Sequence, residues 1–129
     1  MKTIHFTRHA QTVFSGEQLD DITDEGEKQS ESLDGVYDLV VISDEFSTRR
    51  TLECSNVKFT KLIVSDLCRE KDNETDSAIL QRVEKFKTQL RFYSAIYNRI
   101  LVISHGVFGW YLTHKCIKSC ELVDIKSLI

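Results

Sequence analysis

The sequence predicts an α/β fold built on a mostly parallel sheet. Two apolar runs, at residues 39–42 and 100–103, contain no alternating polar residues, which is typical of strands covered on both faces. Helix-like segments separate the strand-like ones, and this alternation favours βαβ units. We find no internal repeat, low-complexity tract or Gly/Ser linker among the 129 residues, so we expect one domain spanning residues 1–129.

The first predicted strand and helix lie within the first third of the chain. Ile4 and Phe6 belong to a β-prone run near the start of the sequence. Asp24 and Glu27 have the three-residue spacing of a capping pair. The polar residues that follow predict a short surface helix over residues 24–33.

The middle of the chain is predicted to hold two more strands around a helix. Residues 36–43 include the first apolar run and are expected to form the second strand. Residues 43–48 offer several N-cap candidates for a helix over 49–54. Residues 61–67 are expected to form the third strand, and the polar residues 68–75 a loop.

A long helix and a fourth strand are predicted in the second half. From residue 76 onwards, apolar positions recur every three or four residues, which indicates one buried helical face. These positions are Ile79, Val83, Phe86, Leu90, Tyr93 and Tyr97. Residues 99–104 contain the second apolar run and are expected to form the fourth strand.

Arg8 and His9 follow the first predicted strand, at the sheet edge where α/β proteins hold their ligands. A guanidinium offers a planar fork that matches phosphate or carboxylate oxygens. A neutral imidazole can act as a nucleophile. The pair therefore has the chemistry that phosphoryl transfer requires.

Polar side chains also follow the other predicted strands. Right-handed crossovers place the carboxyl ends of parallel strands at one edge of the sheet. We therefore expect these side chains to meet in one crevice, although each alone would more often be structural or solvent-exposed. The set is His9, Arg49, Arg50, Glu70 and His105.

Five segments then resemble the motifs of one family. Residues 7–12 are similar to its Arg-His-Gly signature, and residues 22–29 to its Leu-Thr-x-x-Gly-x-x-Gln segment. Residues 43–54 resemble Ser-Pro-Leu-x-Arg-x-x-x-Thr, residues 67–70 resemble Leu-x-x-Glu, and residues 102–106 resemble the final His-Gly. Their order and strand context resemble the histidine phosphatase superfamily, the phosphoglycerate-mutase-like proteins. The resemblance implies a three-layer α/β/α sandwich.

The resemblance also implies a role for each matching residue. His9 would be the nucleophile that forms a phosphohistidine. Arg8, a second arginine and an imidazolium on His105 would surround the phosphoryl oxygens, and these cations can neutralise charge without a metal. The second arginine is either Arg50, which fits the following Thr-Leu-Glu-Cys spacing better, or Arg49.

Glu70 would protonate the leaving alcohol. Its neighbours Asp66, Asp72 and Glu74 would raise its pKa if their like charges lie close by. The residue after His105 is glycine rather than aspartate, so the family's alternative His-Asp donor is missing, which favours Glu70.

The sequence departs from the family pattern at several positions. Ala10 replaces the signature glycine, and Ser15 stands where mutase-type members carry an asparagine that helps to bind phosphate. Ser15 can still donate one hydrogen bond to a phosphate. Residues 44 and 45, Asp-Glu, replace either the usual Ser-Pro or the usual Pro-Leu. The loop after Glu70 is short, so an open site is expected.

The resemblance implies a metal-independent phosphomonoesterase, without a cofactor, acting on a phosphorylated small molecule or a phosphoprotein. The alternative is a catalytically inactive relative that binds phosphorylated partners. The altered second-arginine segment favours this alternative, and the intact His9 and His105 argue against it. Residues 5–7, His-Phe-Thr, could also be half of a two-histidine phosphoesterase pair. That interpretation requires a second His-x-Ser/Thr motif, and neither His105 nor His114 begins one.

Composition narrows the partners and the compartment. A net charge of −3 with 29% charged residues gives no basic field for nucleic acid or an anionic membrane. No apolar run is long enough to span a bilayer, so we expect a cytoplasmic protein. Cys54, Cys68, Cys116 and Cys120 form no C-x-x-C pair and are expected to be reduced and buried. A metal site at Cys116, Cys120 and His114 is the less favoured alternative.

Overall fold

The computed structural model describes residues 2–13 and 21–129. Strands and helices alternate along these residues. The strands are β1 (Thr3–Arg8), β2 (Asp34–Ile42), β3 (Asn56–Val64), β4 (Arg99–Ser104) and β5 (Leu122–Asp124). The helices are α1 (Asp24–Glu31), α2 (Phe46–Cys54), α3 (Asp76–Ser94) and α4 (Gly106–Thr113), with short 3-10 turns at Asp66–Cys68 and Lys126–Leu128.

The described residues form a five-stranded sheet in the order β3-β2-β4-β1-β5. β3, β2, β4 and β1 pair in parallel, whereas β5 is antiparallel to β1 at the edge. The apolar strands β2 and β4 lie next to each other in the interior of the sheet, as the absence of polar alternation predicts. The mostly parallel sheet is confirmed.

Helices cover both faces of this sheet. On one face, α3 and α4 pack against β1, β2 and β4 through buried residues that include Phe6, Val41, Phe86, Val102 and Phe108. On the other face, Leu52 of α2 packs against the opposite side of β2 and β4. The result is the expected three-layer α/β/α architecture.

Several predicted elements are confirmed with shifted ends. The fourth strand matches β4, and four positions of the predicted stripe, from Ile79 to Leu90, are buried on α3. The cap of α1 is Thr23, whose side chain accepts from the backbone N–H of Gly26, so the predicted pair at Asp24 and Glu27 was one residue late. The third strand starts at Asn56 rather than at 61, because β3 is an edge strand with many exposed residues and lacks an apolar pattern there.

The C-terminal region contains two elements that were not predicted, α4 and β5. Their patterns are weak, because α4 is short and β5 has three residues. Cys116, expected to be buried, is exposed, whereas Cys68 and Cys120 are buried. Within residues 2–13 and 21–129, the structure has no helix that is long and apolar enough to cross a membrane.

Candidate active site

His9 and His105 meet at the carboxyl edge of the sheet. They follow β1 and β4, which are neighbouring parallel strands, and the backbone N–H of His9 donates to the Ser104 carbonyl at 2.9 Å. Their ring centroids lie 5.0 Å apart with an interplanar angle of 62°. The strand-exit argument therefore placed these two imidazoles correctly relative to each other.

The local contacts of His9 fix its ring and its tautomer. Nδ1 lies 2.7 Å from the carbonyl oxygen of Ala10. A carbonyl only accepts, so the hydrogen is on Nδ1 and the lone pair on Nε2. The backbone N–H of Ala10 in turn donates to Oγ1 of Thr51 at 2.9 Å, which ties this loop to α2. In the neutral ring, Nε2 is therefore the nitrogen that keeps the lone pair.

His105 is buried, with 2% of its surface exposed. Its Nε2 atom lies 2.8 Å from Oγ of Ser43. Burial lowers the pKa of His105 to about 3, and the positive charge of Arg8, with that of His9 when it is protonated, acts in the same direction. His105 is therefore a neutral ring at pH 7, not the imidazolium expected from the family resemblance.

Arg8 runs beneath the first residue of α4. A Cβ atom at Gly106 would lie 3.0 Å from Cζ of Arg8, so the missing side chain lets the guanidinium pass. Nη1 donates to the carbonyl of Ile117 at 3.4 Å. Within residues 2–13 and 21–129, the buried Nε has no hydrogen-bond partner. A buried unpaired donor on a cation is costly unless an anion meets it, so Arg8 is suited to bind one.

Glu70 reaches the site, but its carboxylate is occupied by backbone donors. It accepts hydrogen bonds from the N–H groups of Val107 at 3.1 Å and Phe108 at 2.8 Å. A third comes from the N–H of Lys71 at 3.0 Å. Val107 and Phe108 are in the first turn of α4, so Glu70 stabilises the positive end of that helix dipole.

Two of the acidic neighbours expected near Glu70, Asp72 and Glu74, line one pocket with it, but Glu74 is paired with a cation. Glu74 pairs with Arg82, whose hydrogen bond lowers the pKa of Glu74. Arg82 also donates to the carbonyls of Leu67, at 2.8 Å, and Arg69, at 2.7 Å. Arg82 therefore fixes the loop that carries Glu70 and neutralises one of the charges expected to act on it.

A crevice of about 580 Å³ opens in front of the two histidines. His9, Glu70 and His105 line it, as predicted. The full described lining is His9, Thr12, Asp44, Glu45, Phe46, Ser47, Arg69, Glu70, Asp72 and His105. The predicted phosphate ligand Ser15 lies outside the described residues, so its role stays a prediction.

The structure does not bring Arg50 and Arg49 to this crevice. Arg50 pairs with three carboxylates away from the crevice, those of Asp21, Glu27 and Glu53. Arg49 is exposed, and among the described lining residues neither arginine occurs. Helix α2 starts at 46, three residues before the predicted start, and this register turns both side chains outward.

Ser47 and Arg69 line the crevice, where the sequence analysis expected Arg50 or Arg49. Ser47 precedes Thr51 by four residues, one helical turn, and the spacing of the family pattern puts its arginine at this position. Counting four residues back from Thr51 would have shown that a serine stands where the family pattern has an arginine. Arg69 lines the crevice, with Nε bonded to Oδ1 of Asp44 at 2.9 Å. It supplies a cation that the sequence analysis missed.

Glu45 is a second acidic group that the sequence analysis did not select. One carboxylate oxygen, Oε2, lies 3.6 Å from Nε2 of His105. The other, Oε1, accepts the backbone N–H of Glu70 at 3.2 Å. Burial raises the pKa of Glu45, and the Glu70 carboxylate acts in the same direction. Only its place in the altered Asp-Glu dipeptide could have drawn attention to it.

Over the described ranges 2–13 and 21–129, no three His, Cys, Asp or Glu side chains gather in a way that could hold a metal ion. The described lining of the crevice combines the guanidinium of Arg69 with four carboxylates, and Arg8 adjoins Glu70 and Gly106 in the neighbouring pocket. Arg8 and Arg69 are the two side chains there with the charge and geometry to bind an oxyanion.

Comparisons with known proteins identify the fold. No protein-family model and no curated protein matches the chain. Among solved structures, phosphoglycerate mutase from Thermus thermophilus superposes with a TM-score of 0.72 at 18% identity, covering 95% of this chain and 92% of that one. The alpha-ribazole phosphatase from Shigella flexneri gives a TM-score of 0.67 at 18% identity, covering 93% and 88%.

These similarities show the fold. The chain has the phosphoglycerate-mutase-like fold, a three-layer α/β/α arrangement around a mostly parallel sheet. The fold implied by the five sequence motifs is therefore confirmed.

Proposed function

We propose that the protein is a histidine phosphatase that hydrolyses phosphate monoesters through a phosphohistidine on His9. The observation that carries this proposal is the tautomer of His9, because Nδ1 bonded to a carbonyl directs the nucleophilic lone pair to Nε2. Phosphatases occur among the solved structures that share the fold. The substrate class is a phosphorylated small molecule or a phosphoprotein side chain, and the proposed location is the cytoplasm.

The proposed reaction has two steps. Nε2 of His9 attacks phosphorus, the bond from phosphorus to the ester oxygen breaks, and the leaving oxygen takes a proton from a carboxylic acid in the crevice. Water then attacks the phosphohistidine, the P–N bond breaks, and inorganic phosphate leaves. Arg8 and Arg69 neutralise the oxygens, and His105 donates or accepts according to its tautomer.

The main alternative is an inactive relative that binds phosphorylated partners. Two observations favour it: Ser47 replaces an arginine, and the carboxylate of Glu70 is bonded to three backbone N–H groups. Both proposals require anion binding at Arg8. They differ in whether a covalent phosphoenzyme forms. Rapid acid quench of the wild-type enzyme with a labelled aryl phosphate measures this difference.

We expect hydrolysis to proceed at full rate in the presence of a chelator. Cationic side chains perform the charge neutralisation in this proposal, so no metal ion is required. The measurement is the hydrolysis of p-nitrophenyl phosphate by enzyme dialysed against EDTA. Loss of activity that Mg²⁺ or Zn²⁺ restores would contradict the proposal.

We expect Arg69→Ala to reduce kcat/KM more than Arg50→Ala does. Arg69 lies in the crevice, but its side chain is 54% exposed, so solvent screens it and a loss on the order of tenfold is expected, below the 10²-fold or more typical of a preorganised donor. Arg50 links α1 to α2 through ion pairs, so its removal should lower Tm instead. The opposite ranking in kcat/KM would restore Arg50 as the phosphate ligand.

A further inference from the structure

We infer that Glu45, rather than Glu70, is the acid that protonates the leaving oxygen. This inference rests on the proposed phosphoryl transfer to His9. It assigns a catalytic role to a residue that lies at the position of the leucine in the family's Ser-Pro-Leu segment. Three features of the crevice carry it: the position of Glu45, the hydrogen bonds of Glu70, and the charges around both carboxyl groups.

Glu45 is placed to reach a substrate bound at His9. It lines the same crevice as His9 and His105. Its Oε1 atom is held by the Glu70 N–H at 3.2 Å, and its Oε2 atom lies 3.6 Å from the His105 ring. The side chain is 41% exposed, so it is anchored at one oxygen while the other can meet a ligand.

Both carboxylate oxygens of Glu70 are already engaged by the backbone. The N–H groups of Lys71 and Phe108 donate to Oε1, and the N–H of Val107 donates to Oε2. Val107 and Phe108 belong to the first turn of α4, where a carboxylate also interacts favourably with the helix dipole. Glu70 therefore acts as a helix-capping residue that supports the crevice, and a substrate oxygen would have to compete with these donors for its carboxyl group.

The charges that face Glu45 favour its protonated form. Burial raises the pKa of Glu45, and the carboxylates of Glu70 and Asp44 add to the rise. The N–H of Glu70 and the guanidinium of Arg69 oppose it, and His105 is neutral. A phosphoryl dianion at His9 would bring further negative charge to the crevice and raise this pKa again.

The proton balance follows from the two steps. As the P–O bond breaks, the O–H bond of Glu45 breaks and the proton passes to the leaving oxygen, which departs as an alcohol. The Glu45 carboxylate then takes a proton from the water that attacks the phosphohistidine. Glu45 is protonated again when inorganic phosphate leaves.

The test compares Glu45→Gln and Glu70→Gln on phosphate esters whose leaving groups range from p-nitrophenol to simple alcohols. For Glu45→Gln we expect a loss in kcat/KM on the order of 10²-fold or more with alkyl phosphates, which shrinks as the leaving-group pKa falls. For Glu70→Gln we expect a loss that is uniform across the series, together with a lower Tm. Glu53→Gln, on the same helix as Glu45, is the control and should match the wild type.

The outcomes separate this inference from the proposed function. A wild type that forms the phosphoenzyme, combined with a leaving-group dependence in Glu70→Gln alone, would overturn the assignment to Glu45 and leave the phosphatase proposal intact. Uniform losses in both variants would also overturn it. A wild type without turnover would overturn both.

Glu45→Asp keeps a carboxyl group and should recover part of the activity that Glu45→Gln loses with alkyl phosphates. Equal losses in the Asp and Gln variants would indicate a structural role for Glu45 and overturn the inference.

Discussion

His9→Ala is expected to abolish both turnover and the covalent phosphoenzyme. The variant lacks the Nε2 atom that accepts the phosphoryl group, and the anion-binding residues alone provide no nucleophile. The measurement is rapid acid quench with a ³²P-labelled aryl phosphate. Wild-type enzyme should yield an acid-labile, base-stable label, as expected for phosphohistidine, and His9→Ala should yield none.

The control for this experiment is His114→Asn. His114 is exposed and ends α4 in the left-handed conformation, with a φ of 60°, which asparagine tolerates better than most residues. This variant should label and turn over like the wild type. Label that persists in His9→Ala would place the nucleophile elsewhere. Turnover without any label in the wild type would indicate direct attack by water, and phosphate binding without turnover would favour the inactive relative.

The sequence predicted the parts of the fold that apolar patterns encode. β2 and β4 are buried on both faces, so their runs at 39–42 and 100–103 have no polar alternation. The stripe on α3 was visible because one face of a long helix is buried. Since parallel strands share an exit edge, these elements were enough to bring His9 and His105 together.

The remaining parts of the fold left weak patterns in the sequence. β3 is an edge strand whose exposed residues, Lys58 among them, broke the apolar run. Helix α2 has Glu45 at its N-cap position, with the carboxylate turned toward Glu70 and His105 instead of the helix end. Its start at Phe46 was therefore missed.

The error at α2 had consequences for the site. With the helix begun three residues late, Arg49 and Arg50 seemed to follow directly from a strand exit. In the observed register neither arginine is among the described residues that line the crevice, whereas Glu45 is. The positions of Glu45 and Arg69 depend on contacts between the residues just before α2 and the loop after β3, such as the bond from Arg69 to Asp44. Such contacts have no local pattern in the sequence.

Arg8→Ala is expected to reduce kcat/KM by about 10²–10³-fold, the range for loss of one preorganised donor to a developing charge. Arg8 has a buried Nε with no partner in the described part of the chain, and it is held in place by Gly106 and the Ile117 carbonyl. Vanadate, which adopts the five-coordinate geometry of the transition state, should lose more affinity than phosphate, because catalysis requires tighter binding of that geometry.

Arg8→Lys separates charge from geometry in this prediction. Lysine keeps the positive charge but lacks the planar fork, so we expect it to recover little of the activity lost in Arg8→Ala. Arg91→Ala is the control, since Arg91 lies on α3 and bonds to the carbonyl of Ile129. Tm must be measured alongside. A buried Nε without a partner costs stability, so its removal should not unfold the protein. Full activity in Arg8→Lys would mean that charge alone matters. An unchanged vanadate affinity in Arg8→Ala would remove Arg8 from the phosphoryl site, and with it the anion-binding step on which the proposed reaction depends.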